Sequence, residues 1–369
     1  MNVLDSIDQP TLMLDDSVVR KNIEYMLLRA REKKVSFRPH FKTHQSAQIG
    51  EWFREKGVSK ITVSSVEMAE YFAANGWHDI TIAFSLNLRQ IKRIISLAKR
   101  IHLEVLIENE EALTALSKIN ETELGVLVKI DVGNHRTGLD WQEVSTAALL
   151  CQKIRENPRL KCMGVLTHSG HTYNAGSKHE VRSIFREGVE RLTLMRLALE
   201  GKGINELSIS VGDTPGCSLC EDWSGIDEVR LGNFVFYDAA QALAGSCDFK
   251  AVSIALACPV VAKHHARREV VVYGGAIHLS KDFFTINGEK SFGLPALQCG
   301  DRWGSPMPEA IVKGLSQEHG ILHIPGAEFD RISVGDLVFV LPAHSCLTVQ
   351  VMGHYLTLKG ERITTLNQK

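Results

Sequence analysis

The chain has 369 residues, 44% hydrophobic and 23% charged, with 42 Lys+Arg against 43 Asp+Glu and a net charge of -1. That apolar content is ample to offset the entropy of ordering a chain, so disorder is excluded, and the balanced charge gives no electrostatic footprint for nucleic acid or an anionic membrane surface. No apolar run approaches the roughly 18–20 residues of a membrane-spanning helix, and the start, MNVLDSIDQP, has neither the basic region nor the apolar core of a signal peptide. A cytoplasmic protein is expected. Its cysteines (151, 162, 217, 220, 247, 258, 299 and 346) are scattered through a long chain, which predicts reduced thiols rather than a disulfide framework.

Short β-branched runs at 35–41, 60–64, 79–85, 102–107, 125–131, 161–168, 206–211 and 228–233 alternate with longer stretches of helical periodicity at 66–75, 88–99, 140–157 and 178–202. Eight such alternations over roughly 200 residues predict an α/β fold, a (β/α)8 TIM barrel, with a doubly wound open sheet as the competing arrangement. From about residue 251 the pattern becomes strand after turn: 251–262, 269–273, 309–313, 320–324, 336–341 and 347–352, with turns at 264–267 and 334–336. The expected organisation is a barrel over residues 11–245 and a mostly antiparallel β-domain over 246–369 together with 1–10. The run at 11–14 reads as a strand of either domain.

In a barrel the chemistry projects from the C-terminal strand ends. Those ends carry Lys42, Ser64, Ser85, Asp131 to Arg136, His168 to Tyr173, Ser210 to Thr214 and Asn233 to Tyr237, a collection of polar groups that burial would penalise without partners. RPHFKTH (38–44) gathers four potentially cationic side chains at one strand end. A lysine crowded by positive charge has a depressed pKa and is suited to a Schiff base; the other reading is a surface lysine beside satisfied histidines. SVGDTPG (210–216) is either a backbone cradle for phosphate or a tight loop needing flexible glycines. His344 and Cys346, two residues apart, would face one side of a strand and could share a metal, for which imidazole plus thiolate suits zinc; a buried thiol beside a hydrogen-bonded histidine is the alternative. Cys217 and Cys220 have redox-pair spacing without a second pair, and read as packing thiols.

Taken in order, RPHFKTH, DVGNHRTG, THSGHTY, SVGDTP and PAHSC resemble the D-serine dehydratase and D-threonine aldolase family, pyridoxal-phosphate enzymes of the alanine-racemase fold. The resemblance runs from about residue 11 to 352. It implies that Lys42 binds pyridoxal 5'-phosphate and exchanges the α-proton, and that Arg136, His168 and Tyr173 line the cofactor. It also implies that the phosphate rests on Gly212, Asp213 and Thr214 with help from Asn233 or Tyr237, and that His168 or His171 serves a substrate oxygen. His344 and Cys346 match the family's metal pair. The His-x-Cys form resembles its zinc enzymes, whereas the aldolase branch carries His-x-Asp and takes manganese or another hard divalent metal. The activity so implied is a metal-assisted lyase of D-β-hydroxy-α-amino acids, D-serine dehydration to pyruvate and ammonia first. Alternatives are a D-threonine-type aldolase or 3-hydroxyaspartate dehydratase, an amino-acid racemase (no tyrosine is identified as its second base) and a non-catalytic cofactor carrier. The partners implied are a small D-amino acid and a second copy of the chain.

Overall fold

A computed structural model describes residues 3–367; residues 1, 2, 368 and 369, at the extremities of the expected β-domain, lie outside them. The chain divides into two compact units. One holds the residues up to Glu24, Thr43–Ile49 and everything from Asn233 on; the other holds Tyr25–Lys42 and Gly50–Gly232.

In chain order, β1 (Thr11–Leu14) and α1 (Asp16–Glu32) precede β2 (Ser36–Phe37), α2 (Ala47–Arg54), β3 (Ile61–Val63), α3 (Val66–Ala74), β4 (Asp79–Ser85), α4 (Ile91–Ala98), β5 (His102–Ile107), α5 (Glu110–Leu116) and β6 (Leu124–Asp131). A two-residue β7 (Leu139–Asp140) leads to α6 (Val144–Glu156), β8 (Leu160–Leu166), α7 (Lys178–Glu200), β9 (Ser208–Val211), α8 (Thr214–Leu219) and β10 (Glu228–Val229). Eight of these strands pair in parallel in the order β2-β10-β9-β8-β6-β5-β4-β3. A parallel bridge between His40 and Thr62 joins the two ends of that order, so the sheet closes as a barrel and the open doubly wound alternative is excluded. Several helices start where the sequence supplies caps: Ser65 accepts from Met68 N, Asn109 from Ala112 N and Ser177 from Glu180 N.

The expected strand at 35–41 shrinks to two residues and a bridge, because Pro39 has no N–H to give the ladder and restricts Arg38 before it. Leu106, Leu127 and Leu166 form an apolar cluster on neighbouring strands. Gly164, at φ 145°, has no room for a side chain: a Cβ would lie 2.1 Å from the Ser208 carbonyl oxygen, so only glycine lets β8 approach β9 there.

Near the strand starts the barrel interior is charged. Arg38, 4% exposed, sits 2.5 Å from Asp79, 2.8 Å from Glu228 and 3.5 Å from Glu104. Burial works to raise the Glu104 pKa, but the His102 hydrogen bond, the Arg38 charge and the Thr81 hydroxyl (2.5 Å) outweigh it and hold it at about 2. The positive charge of RPHFKTH is therefore spent structurally at Arg38. His44 is buried and neutral, its pKa pushed down by burial to about 3.

The other unit is built on a ten-stranded sheet. It adds α9 (Ala239–Leu243), β11 (Ile254–His264), β12 (Glu269–Tyr273), α10 (Ala276–Leu279), a small hairpin of β13 (Phe284–Ile286) and β14 (Glu289–Ser291), β15 (Gly293–Cys299), β16 (Arg302–Pro306), β17 (Ile311–Leu315), β18 (His319–His323), β19 (Leu337–Pro342), α11 (Ser345–Met352), β20 (His354–Thr357) and β21 (Arg362–Thr364). The main order is β16-β15-β19-β11-β1-β20-β21, with β12, β18 and β17 continuing from β11. All pairs are antiparallel except β1 with β20, so the run at 11–14 is a strand of this sheet and not of the barrel. The turn at 264–267 joins β11 to β12 as expected. One expected strand is wrong: 347–352 belongs to α11. Its β-branched residues suit a strand, but the segment ends in Gly353 at φ 72°, a left-handed helix stop.

Arg38→Met is expected to cost about 3–5 kcal/mol, since it strands buried carboxylates. The sign with pH follows from Glu104. A folded pKa near 2 lies below an unfolded value of about 4.3, so its stabilisation is present above the latter and lost as pH falls through the former. In the variant, loss should begin at a higher pH in urea unfolding followed by circular dichroism.

Candidate functional site

The barrel unit gathers polar groups at the strand ends after β6, β8 and β9. Asp131 closes the β6 turn by accepting from the N–H groups of Gly133 and Asn134 at 2.9 and 2.8 Å. Gly138 lets the chain return: at φ 116°, a Cβ would lie 2.6 Å from Asp131 N. Arg136, on this turn, is exposed. After β8, the Nδ1 of His168 bonds the Gly212 carbonyl, which sets the neutral tautomer with Nε2 as acceptor. Burial, then the charges of Lys42, Arg136 and Arg230, push its pKa down to about 3. Tyr173 lies 6.2 Å from His168, ring to ring, and its hydroxyl accepts from Thr214 N at 3.2 Å. His171 is half-buried; its Nδ1 has no hydrogen-bond partner, and burial lowers its pKa against the pull of Asp131.

After β9, Asp213 caps α8. Its Oδ1 accepts from Gly216 N at 2.6 Å and from the Thr172 hydroxyl at 2.9 Å, and burial raises its pKa to about 6. Its side chain is therefore a structural cap, and only its backbone is available to an anion. Thr214 Oγ1 is buried with no partner, at the first turn of the helix. An orphaned hydroxyl beside Gly212 fits a phosphate group, as the resemblance implies. Arg230, beneath, bonds Ser210 Oγ and the Thr167 carbonyl, both at 2.7 Å. Lys42 follows directly on the His40 bridge; its backbone N–H donates to His40 Nδ1 at 3.3 Å. Cys217 and Cys220 are buried free thiols, with burial raising both pKa values, Cys220 to about 11.

In the other unit, His344 caps α11 and Cys346 lies in its first turn. The strand argument for their shared face fails; a helix start brings them together instead. Burial opposes charge on His344, but Cys346 and then Asp282 outweigh it and hold the imidazole well above its ordinary range. Asp282 Oδ2 lies 2.6 Å from His344 Nδ1. The Thr43 hydroxyl is 3.3 Å from Cys346 Sγ. Imidazole and thiol are a donor set that fits zinc, with two protein ligands leaving coordination positions open. Asn233 Nδ2 is committed to Asp238 at 2.7 Å and Ser345 at 2.9 Å, leaving only an acceptor oxygen. Tyr237 is buried, with its backbone in the left-handed region at φ 49°.

Among the described residues, the one group of three or more His, Cys, Asp or Glu side chains close enough to share an ion is Asp79, His102 and Glu104, whose ligand atoms lie within 4.8 Å of one another. Arg38 already supplies the positive charge there.

Sequence comparison agrees with this two-part layout. The family model for "Alanine racemase, N-terminal domain" matches residues 14–240. The chain belongs to that family. A second model, "Putative serine dehydratase domain", matches residues 253–358. The chain is 28% identical over 369 residues to a D-threo-3-hydroxyaspartate dehydratase of Delftia sp. (strain HT23), covering 98% of this chain and 96% of that protein. It is 28% identical to a D-serine dehydratase of Dictyostelium discoideum, covering 97% and 95%. A solved D-threo-3-hydroxyaspartate dehydratase, a cysteine-to-alanine variant in its metal-free form, superposes with a TM-score of 0.91 at 25% identity over 100% of both chains.

His168 is expected to stay neutral from pH 8 down to about 4 in side-chain nitrogen NMR. A histidine with a lowered folded pKa binds fewer protons than it does unfolded, so its burial costs stability progressively below about pH 6.5. His168→Gln should flatten that part of the pH–stability curve.

Proposed function

We propose that this chain is a pyridoxal-phosphate- and metal-dependent lyase of D-β-hydroxy-α-amino acids, with D-serine dehydration to pyruvate and ammonia as its reaction. The observation that carries the reading is the imidazole–thiol pair at the start of α11, on a chain whose barrel belongs to the alanine racemase N-terminal family. Relatives that span nearly the whole chain are named as dehydratases of D-serine and D-threo-3-hydroxyaspartate, and one has been solved metal-free after loss of a cysteine.

Pyridoxal phosphate, when bound, supplies a carbonyl for Lys42 and an electron sink for bonds at the α-carbon. Lys42 Nζ would hold that group and move the α-proton, and Thr214 Oγ1, unpartnered beside the Gly212 backbone, would hold its phosphate. His168, held neutral, offers Nε2 as an acceptor without adding a charge. Tyr173 and Arg136 line the same strand ends. Asn233 is left out of the phosphate contacts because its amide nitrogen is already used. Zinc on His344 and Cys346 supplies Lewis acidity toward a hydroxyl, and the thiolate favours it over manganese. His171, with an unused ring nitrogen, is positioned for a substrate oxygen. Cytoplasmic placement and a homodimer belong to the same reading; among the described residues no helix is long and apolar enough to cross a membrane.

The test is pyruvate release from D-serine by purified protein, before and after chelation and with zinc restored. Pyruvate should disappear on chelation and return with zinc, and Lys42→Ala should lower turnover by about 10²–10⁴-fold or more. Protein that carries the cofactor chromophore yet releases no pyruvate would reject dehydration of D-serine. Glycine and acetaldehyde from D-threonine would then mark an aldolase, L-serine a racemase, and no turnover at all a carrier.

A further inference from the structure

Asp282 has no part in the reading above, yet its carboxylate lies 2.6 Å from Nδ1 of His344. The two side chains are 45% and 38% exposed, and an ion pair so open to water stabilises a fold little. Its consequence is positional. A carboxylate on Nδ1 keeps a proton there and turns the ring, so that Nε2 is the nitrogen that gives up its proton and offers its lone pair when a cation binds.

The chain is built to hold Asp282 in that place. Thr348 Oγ1, on α11, donates to the Leu279 carbonyl at 3.0 Å and so ties the end of α10 to the helix that starts at His344. Ser280 then takes φ 72° and ψ -178°, a conformation normally left to glycine. That turn redirects the chain, and the Ser280 hydroxyl accepts from Asp282 N at 3.3 Å. On the other side, Asp238 Oδ2 accepts from Ser345 N at 3.0 Å and fixes the first residue of α11 between His344 and Cys346. The carboxylate is thus fixed relative to the helix start, with the imidazole between them.

We propose that Asp282 is a positioning residue for the metal site: it fixes the tautomer and ring orientation of His344 so that Nε2, together with the Cys346 thiolate, binds a divalent cation. The inference rests on the metal pair of the proposed function. Asp282 does not itself contact the ion, and its removal weakens binding without removing a ligand.

The experiment measures zinc affinity by competition with a chromophoric chelator on full-length metal-free protein, together with the thiolate-to-metal absorption of the Co2+-loaded form. Asp282→Asn should weaken zinc about 10–100-fold and shift the Co2+ spectrum, with Asp282→Glu recovering part of the affinity. The melting temperature of the metal-free protein should be unchanged, which a merely structural role would not allow. Asp282→Asn protein that binds zinc as tightly as the unsubstituted chain, while His344→Ala does not bind it, would overturn this proposal alone. Unsubstituted protein with no stoichiometric zinc would overturn it together with the metal pair.

Discussion

A single buried cation organises the barrel. Arg38 has almost no access to water, and a guanidinium so placed is tolerable only if carboxylates meet it. Asp79 and Glu228 are the first residues of β4 and β10, and Glu104 lies two residues into β5, so one charge draws three strands around the sheet to a common point. Glu228 continues the chain of contacts through Ser210 to Arg230, which bonds the Thr167 carbonyl next to His168. The polar interior therefore connects the strand starts with the ends where the candidate chemistry lies.

That connection explains why the strand ends are well defined although they are turns. Each is closed by its own side chains: Asp131 by the backbone after β6, His168 by the Gly212 carbonyl, and Asp213 by the cap on α8. Groups already paired in this way hold the geometry, and the few left unpaired, such as Thr214 Oγ1, are those available to a ligand. In the sheet unit Asp238, Asn233 and Ser345 bond one another around the start of α11, with Asp282 on the imidazole and the Thr43 hydroxyl on the thiol.

Much of this was legible in residue order. Alternating β-branched and helical runs announced the barrel, and polar residues at the ends of apolar strands announced where to look. The errors came from local patterns with two solutions. Val349 and Val351 suit a strand, yet Thr348 bonding back to the His344 carbonyl and Gly353 closing the turn make the segment a helix. The hairpin of β15 and β16 was not anticipated, because Gly293, Pro295 and Gly304 interrupt its strand signal and pairing with β19 compensates.

By itself the sequence determined the barrel-then-sheet order, the reduced state expected of scattered thiols, and the chemical types available: one lysine after a histidine bridge, a glycine-rich turn, and an imidazole near a thiol. Those properties depend on residue type and periodicity, which survive in a linear string. Tertiary structure alone decided which charges are neutralised and which remain. Arg38 looked like company for Lys42 until its three carboxylates, 41 to 190 residues away along the chain, were brought to it. Asp282 carried no signal at all, because its meaning lies in a 2.6 Å contact with a residue 62 positions later. Pairing across such separations is set by strand register and loop closure, and no local pattern records it.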